Sequence, residues 1–325
     1  MTHAIRIHQT GGPEVLRWEA IEVPAPGVGE VLLRQTAVGL NYIDVYFRTG
    51  LYAAPTMPFI PGLEGAGVVE AVGPEVTSLA VGDRVAYASA PIGAYAEARL
   101  MPADRLVKIP DSISDEQAAA MMLQGMTTQY LVRRTYKIQP GDTILVHAAA
   151  GGVGLMLCQW AKHLGATVIG TVSSEEKAAL ARANGCDYPV IYTREDFQAR
   201  VLEITNGNKV PVVYDSVGVD TFAKSLDCLA PLGMMVLFGQ ASGPVPPFEL
   251  GTLAAKGSLF ITRPTLFSYT AKRDDLVTTA QELFEVVSKG VVKVAVNQTY
   301  PLAEAAQAQR DLEARKTTGS TVLKV

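Results

Sequence analysis

Gly151, Gly152 and Gly154 close an apolar, β-favouring run, TILVHAAAGGVG at 143–154. Small residues at that spacing suit anion binding. Gly151 lets the backbone bend, Gly152 lets it approach a ligand closely, and Gly154 lets the following helix pack tightly on the strand. The helix start then offers unpaired N–H groups and a partial positive charge to a pyrophosphate, with Ala150 and Val153 in the same loop. The pattern is Ala149-x-Gly151-x-x-Gly154, with Ala where the usual fingerprint opens on Gly. Taken alone it fits a plain strand–helix turn equally well.

About 20 residues further on, at the end of the next strand, a nucleotide site declares its cofactor. A carboxylate there accepts from a ribose 2′-hydroxyl and repels a 2′-phosphate. This chain has Ser173 and Ser174, with Lys177 three residues on. Hydroxyls and an ammonium suit a phosphate, so NADPH is expected. The serine also reads as the N-cap of a helix whose first turn holds Glu175 and Glu176, and both readings are compatible. The two glutamates leave a ribose contact open.

These residues need a scaffold. The sequence predicts strands at Thr167–Val172, near Asp187–Tyr192, at Val210–Asp215 and at Met234–Phe238. Between them it predicts helices from about Glu175 to Asn184, over Asp196–Ile204 and over Asp220–Leu229. Such alternation makes a parallel, doubly wound sheet, and its first strand carries the fingerprint. The first 120 or so residues are short β-rich runs broken by Gly and Pro, as in a compact β-barrel. From about Leu266 the chain returns to a helix in DDLVTTAQELFEVVSKGVV, an alternating VVKVAVNQTY and a helix Leu302–Arg315. This tail is assigned to the first domain, giving 1–123 with 266–325 for one domain and 124–265 for the other.

Composition narrows the function classes. The 325 residues are 18% charged and 48% hydrophobic, with a formal net charge of -4 and no basic cluster, which gives no footprint for nucleic acid. The N-terminus lacks the apolar core of a secretory signal and no stretch reaches the ~18 apolar residues of a membrane span, so a cytoplasmic protein is expected. Cys158, Cys186 and Cys228 are scattered and odd in number, against a disulfide framework. Nor is there a Ser-His-Asp arrangement to suggest a hydrolase.

The motifs GVVEAVGPEVTSLAVGDRV, PGLEGAG and AAAGGVGLMLCQWAKHLGA resemble the medium-chain dehydrogenase/reductase superfamily over essentially the whole chain. NYIDVYFRTGLY, YDSVG and GSLFITRPTL resemble its zeta-crystallin-like quinone oxidoreductases, a branch that uses NADPH. The resemblance implies an α/β protein with a GroES-like β-barrel catalytic domain, a Rossmann nucleotide-binding domain and an active cleft between them. It also places Tyr192 beside Ser173, Ser174 and Lys177. Asn41, Tyr42, Ile43, Asp44 and Tyr46 would line the nicotinamide side, and Phe238, Gly239, Gln240 and Ser242 would hold the nicotinamide ribose and carboxamide. Arg263, Pro264 and Thr265 would complete the wall, while Thr127 and Tyr130 would reach the phosphates. Ser216 would lie at the carboxyl end of Val210–Asp215, where open sheets bind ligands. Each of these loop residues also reads as a simple turn former.

The superfamily includes zinc alcohol dehydrogenases, so metal must be judged from the residues. Where those enzymes carry Cys and Gly-His-Glu, this chain has Asn41 and Gly62-Leu63-Glu64, and the barrel region holds no cysteine. An amide and an isobutyl group cannot replace thiolate and imidazole. His3, His8, His147 and His163 read as structural or solvated, so no metal is expected. Without a Lewis acid, alcohol oxidation is disfavoured, whereas a quinone or conjugated carbonyl delocalises the incoming charge itself. Asn41, Asp44, Tyr46 and Tyr52 are the catalytic candidates. Asn41 would hold the substrate carbonyl, and either tyrosine would donate to the forming oxyanion or, equally, pack at the cleft mouth while water protonates.

The expected activity is NADPH-dependent, zinc-independent quinone reduction, by hydride or single electrons. An enal or enone double-bond reductase and a non-catalytic NADPH- or RNA-binding protein are the alternatives. The short apolar strand Gly257–Thr262, terminal in the sheet, leaves an unpaired edge. A homodimer joined there is expected, in line with the resemblance.

Overall fold

The computed structural model describes residues 2–325 and divides them into two compact units. The first comprises residues 2–126, Thr270–Ser288 and Val294–Val325; the second comprises Thr127–Tyr269 and Lys289–Lys293.

The second unit is built on a six-stranded, wholly parallel sheet in the order Tyr188–Ile191, Thr167–Val172, Thr143–Val146, Val210–Asp215, Leu229–Leu237 and Phe260–Thr262. Strands covered by helices on both faces read as continuous apolar runs, and five of the six residues of Thr167–Val172 are buried. The crossover helices are Gly152–His163, Glu175–Ala183, Phe197–Ile204 and Phe222–Cys228. The apolar faces of Phe197–Ile204 and Phe222–Cys228 share a core with the inner strands that includes Leu145, Ile169, Val201, Val213 and Leu226. The order reverses beside Thr143–Val146, the strand that feeds the glycine turn. Three free cysteines lie buried here.

The first unit is mostly antiparallel. Its long strand Glu30–Leu40 pairs with Glu64–Val72 throughout, while its opposite side meets Ala98–Pro102 along the first half and Ser320–Lys324 along the second. Register shifts at Leu32/Leu33 and Gln35/Ala37 mark the change, which bends the strand as β-bulges do. The helix Tyr42–Thr49 follows directly, so the bend decides where its first residues point.

Several boundaries differ from those the sequence suggests. The edge strand begins at Phe260 rather than Gly257, because Gly257 and Ser258 both have left-handed backbone, φ +111 and +56. The strand assigned to Met234–Phe238 starts at Leu229, its pairing shifting register near Leu232 at φ +63. The last helix opens as a 3-10 turn at Leu302–Glu304 and ends at Glu313. The closing strand Ser320–Lys324 lies in a stretch for which the sequence suggested no element.

Candidate active site

In the nucleotide unit, the strand Thr143–Val146 continues into a turn pinned by His147 N–H to the Tyr214 carbonyl at 2.9 Å and Ala149 N–H to the Thr171 carbonyl at 3.0 Å. Gly151 is the N-cap of helix Gly152–His163, which has no side-chain cap and no acid in its first turn. An uncapped, acid-free helix start is where an anion fits best. Gly154 is fixed by steric contact: a Cβ there would sit 2.3 Å from the Ala148 carbonyl oxygen. Ala150 is buried and Val153 half-buried in the same turn. His147 is enclosed, its ring nitrogens 2.9 Å from Thr171 Oγ1 and 2.8 Å from Ser225 Oγ. Burial holds its pKa below the usual range, so it braces the turn as a neutral ring.

At the end of Thr167–Val172, Ser174 caps the next helix, its hydroxyl accepting the Lys177 N–H at 3.3 Å. The cap reading therefore holds, and it leaves Ser173 and the first turn beside it. The structure brings Tyr192 to the same strand end: its N–H donates to the Val172 carbonyl at 3.0 Å, and Thr193 Oγ1 donates to the Ser173 carbonyl at 3.1 Å.

Ser216 follows Val210–Asp215, and the loop from Phe238 to Gly243 folds against it. Ala241 N–H donates to the Ser216 carbonyl at 3.1 Å, and Phe238 N–H donates to the Asp215 carbonyl at 2.8 Å. Asp215 accepts from Val217 N–H, Gly218 N–H and Thr221 Oγ1. Ser242 spends its hydroxyl on this lacing, donating to the Val217 carbonyl and accepting from Asp220 N–H. Gly239 is buried against Ser216, where a Cβ would lie 2.7 Å from the Ser216 carbonyl oxygen, and Gln240 is half-buried beside it. Arg263, exposed, follows the edge strand and donates to the Pro264 carbonyl; Thr265 is exposed beside it. Thr127 and Tyr130 are both buried, and Tyr130 stacks on Tyr269 with centroids 4.2 Å apart. Burial raises the Tyr130 phenol well above the ordinary range, and its oxygen is hydrogen-bonded to Thr127. These two pack together, Tyr130 against Tyr269.

In the β unit, Asn41 is the N-cap of Tyr42–Thr49 and its N–H donates to Asp44 Oδ2 at 2.9 Å. Tyr95 O–H donates to the same oxygen at 2.9 Å. Asp44 is fully enclosed, and burial pushes its carboxyl up to about 7. A carboxylate turned back on its own helix start holds Asn41 and does not reach outward. The Asn41 side chain is itself clamped. Its Nδ2 donates to Glu64 Oε2 at 2.6 Å, its Oδ1 accepts from Gln124 Nε2 at 3.2 Å, and Ser320 Oγ donates to Gln124 Oε1 at 2.7 Å. Glu64 also accepts the Leu123 N–H at 2.7 Å and is raised to about 8, chiefly by burial. Gly39 clears its space, since a Cβ there would lie 2.3 Å from Glu64 Oε2. The clamp fixes the Asn41 amide, with one Nδ2 proton on Glu64.

Tyr42, Tyr46 and Tyr52 form a ring ladder, centroids 5.5 and 5.1 Å apart, with Phe47 edge-on to Tyr52 at 5.7 Å. Packing is thus established for Tyr46 and Tyr52. Ile43 is half-buried on the same helix. Glu64, Gln124 and Tyr95 went unnamed in the sequence as site residues. One signal was there: Glu64 opens the apolar run EGAGVV with no cation near it in sequence. Among the described residues, no group of three or more His, Cys, Asp or Glu side chains could hold a metal ion. No helix among them is long and apolar enough to cross a membrane.

Residues 27–111 match the alcohol dehydrogenase GroES-like domain, and residues 152–286 match the zinc-binding dehydrogenase family. A quinone oxidoreductase of Pseudomonas aeruginosa is 55% identical over 323 residues, 99% of each chain. The chain belongs to the quinone oxidoreductase family of medium-chain dehydrogenase/reductases. Within it, the crystal structure of the Escherichia coli quinone oxidoreductase complexed with NADPH is 47% identical and superposes with a TM-score of 0.98, covering 99% of this chain and 100% of that one. A 2-haloacrylate reductase from a Burkholderia species is 48% identical over 329 residues, 99% of each chain. Membership accounts for a GroES-like unit joined in sequence to a parallel-sheet nucleotide unit.

Proposed function

We propose that this protein is an NADPH-dependent quinone reductase that works without a metal ion. The observation that carries the reading is the end of the strand Thr167–Val172: Ser173, Ser174 and Lys177 stand where a carboxylate would select an unphosphorylated ribose. The Escherichia coli relative solved with NADPH supports the same cofactor.

The chain's groups fit that cofactor piece by piece. Ala150–Gly154 would hold the pyrophosphate on the uncapped helix start, and Ser173, Ser174, Lys177 and Tyr192 the 2′-phosphate. Ser216, Phe238, Gly239 and Gln240 would hold the nicotinamide ribose and carboxamide through backbone groups, and Ser242 shapes their loop. Arg263, Pro264 and Thr265 would complete the wall of the nucleotide unit's site. When bound, NADPH supplies the reducing equivalent. The protein supplies orientation, and the second Asn41 Nδ2 proton is assigned to the substrate oxygen that gains negative charge. Asp44, Glu64 and Gln124 hold that amide in place. Tyr46 and Tyr52 give the substrate an aromatic wall, and water delivers the proton. Support for a metal-free reaction is chemical, since Asn41 and the buried Leu63 offer no zinc ligand.

A cytoplasmic homodimer joined through the edge strand Phe260–Thr262 belongs to the same proposal, supported by that strand's terminal place in the sheet and by Phe260, 56% exposed. Sedimentation showing a monomer at micromolar concentration would remove the dimer. Reduction of a conjugated double bond is the second reading, favoured by the haloacrylate-reductase relative. Comparing steady-state NADPH oxidation with quinones and with enones or 2-haloacrylates separates the two.

A further inference from the structure

We infer that Arg194 is a second cation of the 2′-phosphate site, and that by pairing with Glu175 it cancels the charge that would otherwise favour the unphosphorylated cofactor. This rests on the NADPH reading above and deepens it. Glu175 and Glu176 open the helix directly after Ser174, so they place two negative charges in the first turn next to the position where a 2′-phosphate is expected. An acid in that neighbourhood takes a ribose hydroxyl and repels a phosphate. Lys177 alone does not balance two carboxylates. The structure supplies the missing charge from 19 residues away, where the Arg194 guanidinium donates to Glu175 Oε1 in an ion pair.

The segment that carries Arg194 is held in register. Its strand, Tyr188–Ile191, runs parallel to Thr167–Val172, with Ile191 beside Val172. Tyr192 and Thr193 are tied to Val172 and Ser173, and Arg194 N–H closes a turn onto the Ile191 carbonyl at 2.9 Å. Arg194 therefore stands at the strand end that already holds Ser173, Ser174, Lys177 and Tyr192. Counting Glu175, Glu176, Lys177 and Arg194, the local charge is zero; without Arg194 it is -1.

Both partners are well exposed, at 58% for the Arg194 side chain and 72% for Glu175, so as a stability device the pair is worth little. An arginine held that loosely can turn its planar fork from a carboxylate to a phosphate, a bidentate geometry a lysine does not offer.

The test is equilibrium binding of NADPH, NADH and 2′,5′-ADP to the full-length protein and to R194Q, E175Q and the double variant. R194Q is expected to weaken NADPH and 2′,5′-ADP by roughly tenfold to a hundredfold, the loss of a charge-assisted contact, with NADH changed less than about twofold. E175Q is expected to keep or strengthen NADPH binding, and E175Q added to R194Q is expected to recover part of the loss. Equal weakening of NADPH and NADH by R194Q would show that Arg194 only props the loop, and an unchanged preference would show that it plays no part; either result overturns the inference while the NADPH reading stands. A parent protein that binds NADH as tightly as NADPH removes both.

Discussion

The nucleotide unit and the β unit make their sites by opposite means. In the first, the groups proposed for the cofactor stand at strand ends: the Gly151–Gly154 backbone turn, the Ser174 hydroxyl cap and the loop at Gly239. In the second, they are buried side chains that hold one another, Glu64 with Asn41, Asn41 with Gln124, and Gln124 with Ser320. A backbone site depends on residues being small or capping, and such residues stand next to each other in sequence. A side-chain clamp depends on partners 23, 83 and 196 positions apart.

If that contrast is right, the two units should break differently. The largest effect is expected from G154V. The added Cβ meets backbone atoms that cannot step aside, so nucleotide affinity should fall beyond measurement and stability by about 3 kcal/mol. Titration of cofactor fluorescence alongside a thermal melt reads both. Normal NADPH binding by G154V would refute the backbone account of this site.

Next comes Glu64. E64A leaves the Asn41 amide and the Leu123 N–H without their buried acceptor, and a loss of about 2–5 kcal/mol is expected by denaturant unfolding. Glu64 also titrates against folding. Its pKa rises from 4.5 to about 8 in the fold, so the native state holds a proton that the unfolded chain releases. Its contribution is present below pH 4.5, declines by up to about 1.4 kcal/mol per pH unit as pH rises, and is gone above about 8. E64Q should flatten that slope. An unchanged slope would mean that Glu64 is ionised in the fold.

N41A should lower kcat/KM for quinone roughly tenfold or more while leaving NADPH affinity within about threefold, because the amide serves the substrate and the nucleotide unit the cofactor. Equal loss of both would merge the two sites. S174A should cost about 1 kcal/mol in a thermal melt through the lost cap, and it should weaken NADPH binding by the loss of one hydroxyl at the 2′-phosphate. The smallest effect is for chelation: dialysis against EDTA and phenanthroline should leave quinone turnover unchanged, and loss restored by zinc would overturn the metal-free reaction.

The same contrast explains what the sequence revealed. Thr167–Val172 and Val210–Asp215 are readable to the residue, because fully buried parallel strands are apolar runs with sharp ends. The glycine turn is readable because steric needs leave a spacing. Gly257–Ser258 misleads because an apolar stretch looks extended whatever its φ. Asp44 reads as a reactive acid because its type and neighbours fit, while the fold spends it on capping Asn41. Glu64, Gln124, Ser320 and Arg194 stay hidden until the chain closes, since their meaning lies entirely in partners far along it.

The central claim is that the protein reduces a quinone at the expense of NADPH with no metal. Absorbance at the reduced nicotinamide band, followed in metal-free buffer with a benzoquinone and either NADPH or NADH, tests it most directly. Rapid oxidation of NADPH, well ahead of NADH, is the expected result; NADPH that binds but is not consumed with any quinone would contradict it.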